Sequence, residues 1–199
     1  MFRRMLTVFA LTATAFTTPA AAHADTRFHG EGDDVVRIHT TKKPGIVRLT
    51  HRGDSNFIVH TVDPRGKTGE LLVNEIGLYD GTVLYNDFGS RGTSGLAIRA
   101  DGAWTATFTP LNKARCWCSA TIRGRGDQVL KLSPTRGLRT MRATHGGEAN
   151  FIVHAHTRTG SYSDLLINDI GRYKGKVLLP SGTRLITVHA DGPWTLTRS

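Results

Sequence analysis

Residues 30–81 are written a second time, without a gap, as residues 124–175. At this offset of 94 positions, 22 of 52 residues are identical, where unrelated sequences of ordinary composition would share about 3. The longest shared runs are Asn56-Phe57-Ile58-Val59-His60 with Asn150-Phe151-Ile152-Val153-His154, and Leu71-Leu72-Val73-Asn74 with Leu165-Leu166-Ile167-Asn168. Ile76-Gly77, Tyr79 and Gly81 return as Ile170-Gly171, Tyr173 and Gly175. After a four-residue contraction, Ala100-Asp101-Gly102-Ala103-Trp104-Thr105 returns as Ala190-Asp191-Gly192-Pro193-Trp194-Thr195. A duplication of this kind restricts the chain to two like units, each of about 80 residues and long enough to hold its own core. The expected division is a first unit over 25–113 and a junction with a second unit over 114–199. The segment 109–121, with Pro110 and the only two cysteines, is the natural junction.

Each unit reads as strands. Short runs rich in β-branched and aromatic residues, such as 35–39, 46–51, 57–62, 71–74, 82–85, 96–100 and 104–108, are separated by Gly, Asp, Asn and Pro. Asp-Gly between two alternating runs (Asp101-Gly102, Asp191-Gly192) predicts a hairpin whose turn uses positive φ. Leu96, Ile98 and Ala100 share one parity and become Ile186, Val188 and Ala190, while Ala97 and Arg99 on the other parity become Thr187 and His189. One face is apolar and the other wet, as in antiparallel sheets packed as a sandwich or barrel. No window sustains a helical period, so the fold class is all-β: two tandem antiparallel β-sandwiches.

The remaining chain, 1–24, reads as a secretory leader: Arg3 and Arg4, an apolar stretch, Pro19, and an A-x-A cleavage site at Ala22-His23-Ala24. The expected location is therefore extracellular. No later apolar run approaches the ~20 residues of a spanning helix. Of 26 basic and 16 acidic residues, residues 25–113 carry 11 of each, whereas 114–199 carry 13 basic and 5 acidic, net +8. The excess arises from changes between copies, such as Asp80 to Lys174, Thr82 to Lys176 and Glu31 to Arg125. A surface so charged attracts polyanions, and Arg125, Lys131, Arg142, Arg172, Lys174 and Lys176 are the candidate binding residues. No helix-turn-helix or RNA-module pattern accompanies the charge, so sequence-specific nucleic-acid recognition is not expected.

Residues kept in both copies are the candidates for chemistry, and most read as scaffolding. Trp104 and Trp194 read as core aromatics. Tyr79 and Tyr173, in Gly-x-Tyr-x-Gly, read as strand corners with the hydroxyl tied to backbone. His51/His145 and His60/His154 show no metal-ligand spacing and read as hydrogen-bonded within each unit. Of the repeated acids, Asp33 and Asp127 in Gly-x-Gly-Asp are the calcium candidates, and no other cofactor is indicated. Ser55 becomes Ala149, so no catalytic serine is duplicated, no elbow motif marks one, and no catalytic residue is assigned. Arg52-Gly53-Asp54 and Arg125-Gly126-Asp127 spell an integrin tripeptide, but the other copy keeps only Gly-acid. Cys116 and Cys118, two residues apart in an exported chain, are expected to be disulfide-bonded.

The motifs Gly-x-Gly-Asp, Asn-Phe-Ile-Val, Leu-Leu-Val-Asn, Gly-x-Tyr-x-Gly and Ala-Asp-Gly-x-Trp-Thr resemble a β-sandwich repeat of secreted actinobacterial proteins. The sandwich pattern is more loosely similar to the jelly-roll-like pre-peptidase C-terminal domains appended to secreted hydrolases. Both resemblances imply an accessory or binding module rather than an enzyme. The expectation is a secreted non-enzymatic protein whose basic second unit docks on an anionic wall or surface polymer, leaving the first unit for another extracellular protein. Two alternatives stay open: a hydrolase or thiol-active protein using the His pairs or Cys116/Cys118, and a protein partner such as a protease inhibitor.

Overall fold

The computed structural model describes residues 25–87, 91–157 and 163–199; the predicted leader at 1–24 lies outside them. The first unit is built from β1 (Thr26–Glu31), β2 (Asp34–Thr41), β3 (Gly45–Arg52), β4 (Asn56–Val62), β5 (Thr68–Ile76), β6 (Tyr79–Tyr85), β7 (Thr93–Arg99) and β8 (Ala103–Pro110). A 3-10 turn (Leu111–Lys113) leads to β9 (Arg115–Cys116). The second unit follows with β10 (Thr121–Arg125), β11 (Gln128–Lys131), β12 (Arg139–His145), β13 (Asn150–His156), β14 (Asp164–Ile170), β15 (Tyr173–Leu179), β16 (Leu185–Ala190) and β17 (Pro193–Arg198).

The first unit pairs its strands as β1-β8-β3-β6 and β2-β7-β4-β5; the second as β10-β17-β12-β15 and β14-β13-β16-β11-β9. Counted from the start of each unit, and leaving β9 aside, the two orders are the same. They are the order of a jelly roll, in which a long antiparallel hairpin is folded over into two facing sheets. The all-β, two-sandwich expectation is therefore correct. β9 is the exception to antiparallel pairing: it runs parallel along the edge of β11.

Strand alternation sets both cores. Val47, Leu49, Phe57, Val59, Leu96, Trp104 and Ala106 fill the first, and Met141, Ala143, Phe151, Val153, Ile186, Trp194 and Leu196 fill the second. Each Trp indole lies flat over a glycine one strand away, where a Cβ on Gly30 or Gly124 would overlap the ring. Each indole N–H donates to the carbonyl two residues further on, Gly32 at 3.0 Å and Gly126 at 2.9 Å. This explains why glycine and tryptophan recur together. The junction adds Trp117 to the second core, fully buried, with the Arg198 guanidinium 4.9 Å above its ring. Cys116 and Cys118 form the expected disulfide on either side of it.

Three local expectations change. The first strand of each unit, β1 and β10, was not among the expected strands; both are half-exposed edges, where the apolar signal is weak. The Asp-Gly turns do not use positive φ at either residue. Glycine is required there for a different reason, because a Cβ on Gly102 or Gly192 would strike the backbone of the neighbouring loop at Arg52 or Gly147. Tyr79 does not bond backbone: its hydroxyl donates to Asp127 Oδ2 at 2.7 Å, across to the second unit.

Candidate functional site

Three polar arrangements survive packing. The first is the duplicated histidine. His51 on β3 is buried, stacks on Phe57 with ring centroids 4.6 Å apart, and donates from Nδ1 to the Gly77 carbonyl at 2.7 Å. His145 repeats this against Phe151 at 4.7 Å and the Gly171 carbonyl at 2.7 Å. The other ring nitrogen of each faces a carboxylate 3.2 Å away, Asp101 or Asp191. Those aspartates also receive backbone N–H groups, Asp54 and Ser55 in one unit and Glu148 in the other. Burial pushes both carboxyls up, but the backbone N–H bonds and the histidine charge together outweigh it and hold them below the usual range. With each imidazole buried, these pairs brace the loops at one end of each sandwich and offer no surface to a substrate.

The second arrangement is a cationic sheet face. Pairing across β10-β17-β12-β15 places Arg123, Thr195, Thr144 and Lys174 in one row and Thr121, Thr197, Arg142 and Lys176 in the next. Arg125 ends β10 on the same parity, and Arg172 precedes β15 on the parity of Lys174. Among the described residues no carboxylate stands on these rows. The matching rows of the first unit are His29, Thr105, Thr50, Asp80 and Arg27, Thr107, Arg48, Thr82. There Asp80 binds Arg48 through two hydrogen bonds of 3.0 and 2.9 Å. Of the six candidate binding residues, Arg142, Lys174 and Lys176 share this face with Arg172 at its margin. Arg125 sits where the face meets the first unit, in a cleft with Arg48 and Asp80. Lys131 does not belong to it: it lies on β11 in the opposite sheet, its Nζ on the Asn112 carbonyl. Arg123, absent from the six, does belong; its place three strands from Lys174 is set by register, which the repeat comparison did not use.

The third arrangement is the seam. At one end of the first sandwich the edge strand β6 packs on the second unit's β11, and the neighbouring edge strand β5 faces β16 and β13 across a groove, reaching β16 through Glu75. Ile46 and Leu84 of the first unit pack with Val129, Leu185 and the junction's Ala114, and Thr82 N–H donates to the Asp127 carbonyl at 2.9 Å. Asp127 is buried and gathers three donors: the Ala190 N–H at 2.9 Å, the Tyr79 hydroxyl at 2.7 Å and His189 Nδ1 at 2.8 Å. His189 Nε2 reaches Glu75 of the first unit at 3.6 Å. The hydrogen bond to Asp127 raises the His189 imidazole above its ordinary value despite burial, and desolvation, with the adjoining Asp127 charge, pushes the Tyr79 phenol far up. The Glu75 carboxyl is raised by its burial, which His189 only partly offsets.

Beside this network runs a groove of about 550 Å³ between the units, its walls including Leu72, Val83, Ile152 and His154. At one end His156 Nδ1 lies 2.7 Å from Asp87 of the first unit, and its Nε2 meets Thr187 Oγ1 at 3.1 Å. Carboxylate, imidazole and hydroxyl in this order have the connectivity of a catalytic relay. His156 and Asp87 are almost wholly buried where they line the end of the groove, and their contact crosses from one unit to the other. The arrangement acts as a clamp between the units.

The calcium candidates are drawn into these structures rather than into an ion cage. Asp33 Oδ1 accepts the Ala100 N–H at 3.0 Å, as Asp127 accepts that of Ala190. Among the described residues, no three His, Cys, Asp or Glu side chains are grouped to hold a metal. Asp127 is also the acid of Arg125-Gly126-Asp127, and its burial removes that tripeptide from any receptor. Compared with known protein families and with curated proteins, the chain matches no family model and no curated protein. The class defined by the coordinates is thus architectural: two tandem jelly-roll sandwiches joined edge to face.

Proposed function

We propose that the chain is an exported, non-enzymatic binding protein that attaches to anionic extracellular polymers through the outer face of β10-β17-β12-β15. One observation carries this reading: the matching faces of two sandwiches of one ancestry differ in charge, the second presenting Arg123, Arg142, Lys174 and Lys176 with no carboxylate among them, the first neutralising Arg48 with Asp80. Neighbouring strands are about 4.8 Å apart and alternate residues about 6.8 Å, so these cations span a flat patch roughly 14 Å across four strands. Such a patch meets several charges of a linear polyanion at once. The threonines between the cations supply hydroxyls to the same surface.

Heparin serves as the probe. Binding measured by calorimetry is expected to weaken steeply between about 50 and 200 mM salt, as charge-driven contacts do. The triple variant Arg142→Glu, Lys174→Glu, Lys176→Glu is expected to lose binding while Lys131→Glu retains it. Binding insensitive to salt, or unchanged in the triple variant, would overturn the reading.

A further inference from the structure

The seam joins unlike surfaces: the β5–β6 edge of one sandwich meets the β11–β16–β13 face of the other. Because the units share one fold, each outer end of the molecule carries the complementary counterpart. Among the described residues, the second unit presents an uncovered edge, β14–β15, and the first an uncovered face, β2–β7–β4. A contact between unlike surfaces has no reason to stop at one copy.

The residues on these free surfaces keep the pairing logic of the seam. Leu84 packs beside Val129 in the seam; their counterparts Leu178 and Val35 are apolar and 62% and 57% exposed. The Tyr79–Asp127 bond has as counterparts Tyr173 and Asp33, again phenol and carboxylate. Glu75 faces His189 at 3.6 Å; their counterparts are Asp169 and Arg99, opposite in charge. The last pair is the most telling. Asp80 and Arg125 line one cleft at the seam, and their counterparts are Lys174 and Glu31. Both charges are reversed, so the two positions keep opposite signs.

We infer that the chain binds a second copy of itself head to tail, the β14–β15 edge of one copy packing on the outer face of β2, β7 and β4 of the next. The contact between copies is weaker than the seam. Ile46 and Leu185 are replaced by Thr140 and Gly95, the His156–Asp87 clamp by Val62 and Ser181, and there is no junction peptide to hold the surfaces near each other. Association therefore rises with concentration. This inference does not rest on the polyanion reading, and its test contains no polyanion.

Sedimentation velocity of the purified chain from about 1 µM to 1 mM, a range that brackets weak protein contacts, is expected to show growth from single chains to dimers and longer species. Val35→Arg and Leu178→Glu, at sites already exposed, should each weaken association by about tenfold or more with circular dichroism unchanged. Glu31→Lys and Lys174→Glu should each weaken it too, because each sets like charges against one another. An equimolar mixture of these two single variants should recover it, because each copy then meets a neighbour of opposite charge on both sides. A single chain at every concentration, association indifferent to Val35→Arg and Leu178→Glu, or a mixture no better than its components would each overturn the inference.

Discussion

The two sandwiches share an interior and differ in dress. His51 and His145 make the same stacking contact, the same carbonyl bond and the same carboxylate contact to within 0.1 Å, and Trp104 and Trp194 lie over glycines in the same way. Asp33 and Asp127, by contrast, hold one residue type to two ends: Asp33 is exposed and receives a backbone N–H, whereas Asp127 is buried at the seam with two further partners. Residues kept in both copies thus report what a jelly roll of this sequence needs, while the chemistry particular to the whole molecule lies where the copies disagree. A seam occurs once per chain, so nothing in it has to be duplicated.

The comparison can be broken most easily in the core. Trp104→Ala and Trp194→Ala each remove a fully buried ring and are expected to cost about 3–5 kcal/mol, read by urea unfolding. If the interiors are equivalent, the two losses should be similar; a large inequality would show that Trp117, which only the second core contains, relieves that unit.

The asymmetry of the paired aspartates comes next. Asp127→Ala strands the Ala190 N–H, the Tyr79 hydroxyl and His189 in a buried site, at about 1–3 kcal/mol for each unsatisfied group, so a loss of about 3 kcal/mol or more is expected. Asp33→Ala releases one exposed N–H and should cost about 1 kcal/mol or less. Equal losses would remove Asp127 from the seam.

Much of this architecture was legible in the chain, and the exceptions have physical causes. The interior strands were readable because burial on one face enforces strict alternation, as in Phe57, Val59 and Val47, Leu49. The edge strands β1 and β10 were not, since a half-exposed edge tolerates Arg27, His29 and Arg123 where a central strand would not. The seam was invisible for another reason. His156 and Thr187 have Val62 and Ala97 as counterparts, so a search for repeated polar residues passes over them, and Asp87 joins them only through tertiary packing. Lys131 illustrates the limit of counting charge: it is basic, on the polar parity and in the basic half, yet its sheet faces the first unit.

A gentler probe of the same difference is pH. The Asp127 hydrogen bond raises the His189 imidazole, so this bond contributes fully below the ordinary histidine value near 6.5 and is lost as pH rises through the raised value. Glu75, raised by burial, and Asp191 face the same ring; ionising the buried Glu75 carboxyl at higher pH opposes the seam in the same direction. Hydrogen exchange at Thr82 N–H, which bridges the units, should therefore quicken between neutral and alkaline pH beyond the intrinsic rate, and His189→Gln should flatten that extra dependence.

The smallest effect belongs to the surface. Arg48 and Asp80 form a well-aligned pair, yet both are more than half exposed, and exposed pairs contribute about 0–1 kcal/mol. Asp80→Asn should leave stability nearly unchanged while freeing the Arg48 charge on the first unit's sheet. If charge alone separates the two faces, Asp80→Asn, which leaves Arg27 and Arg48 with no carboxylate on those rows, should bind heparin more tightly than the native chain and with a steeper salt dependence. A variant that folds normally but binds no more tightly would mean that the threonine rows or the geometry of the second face, and not its charge, make the site.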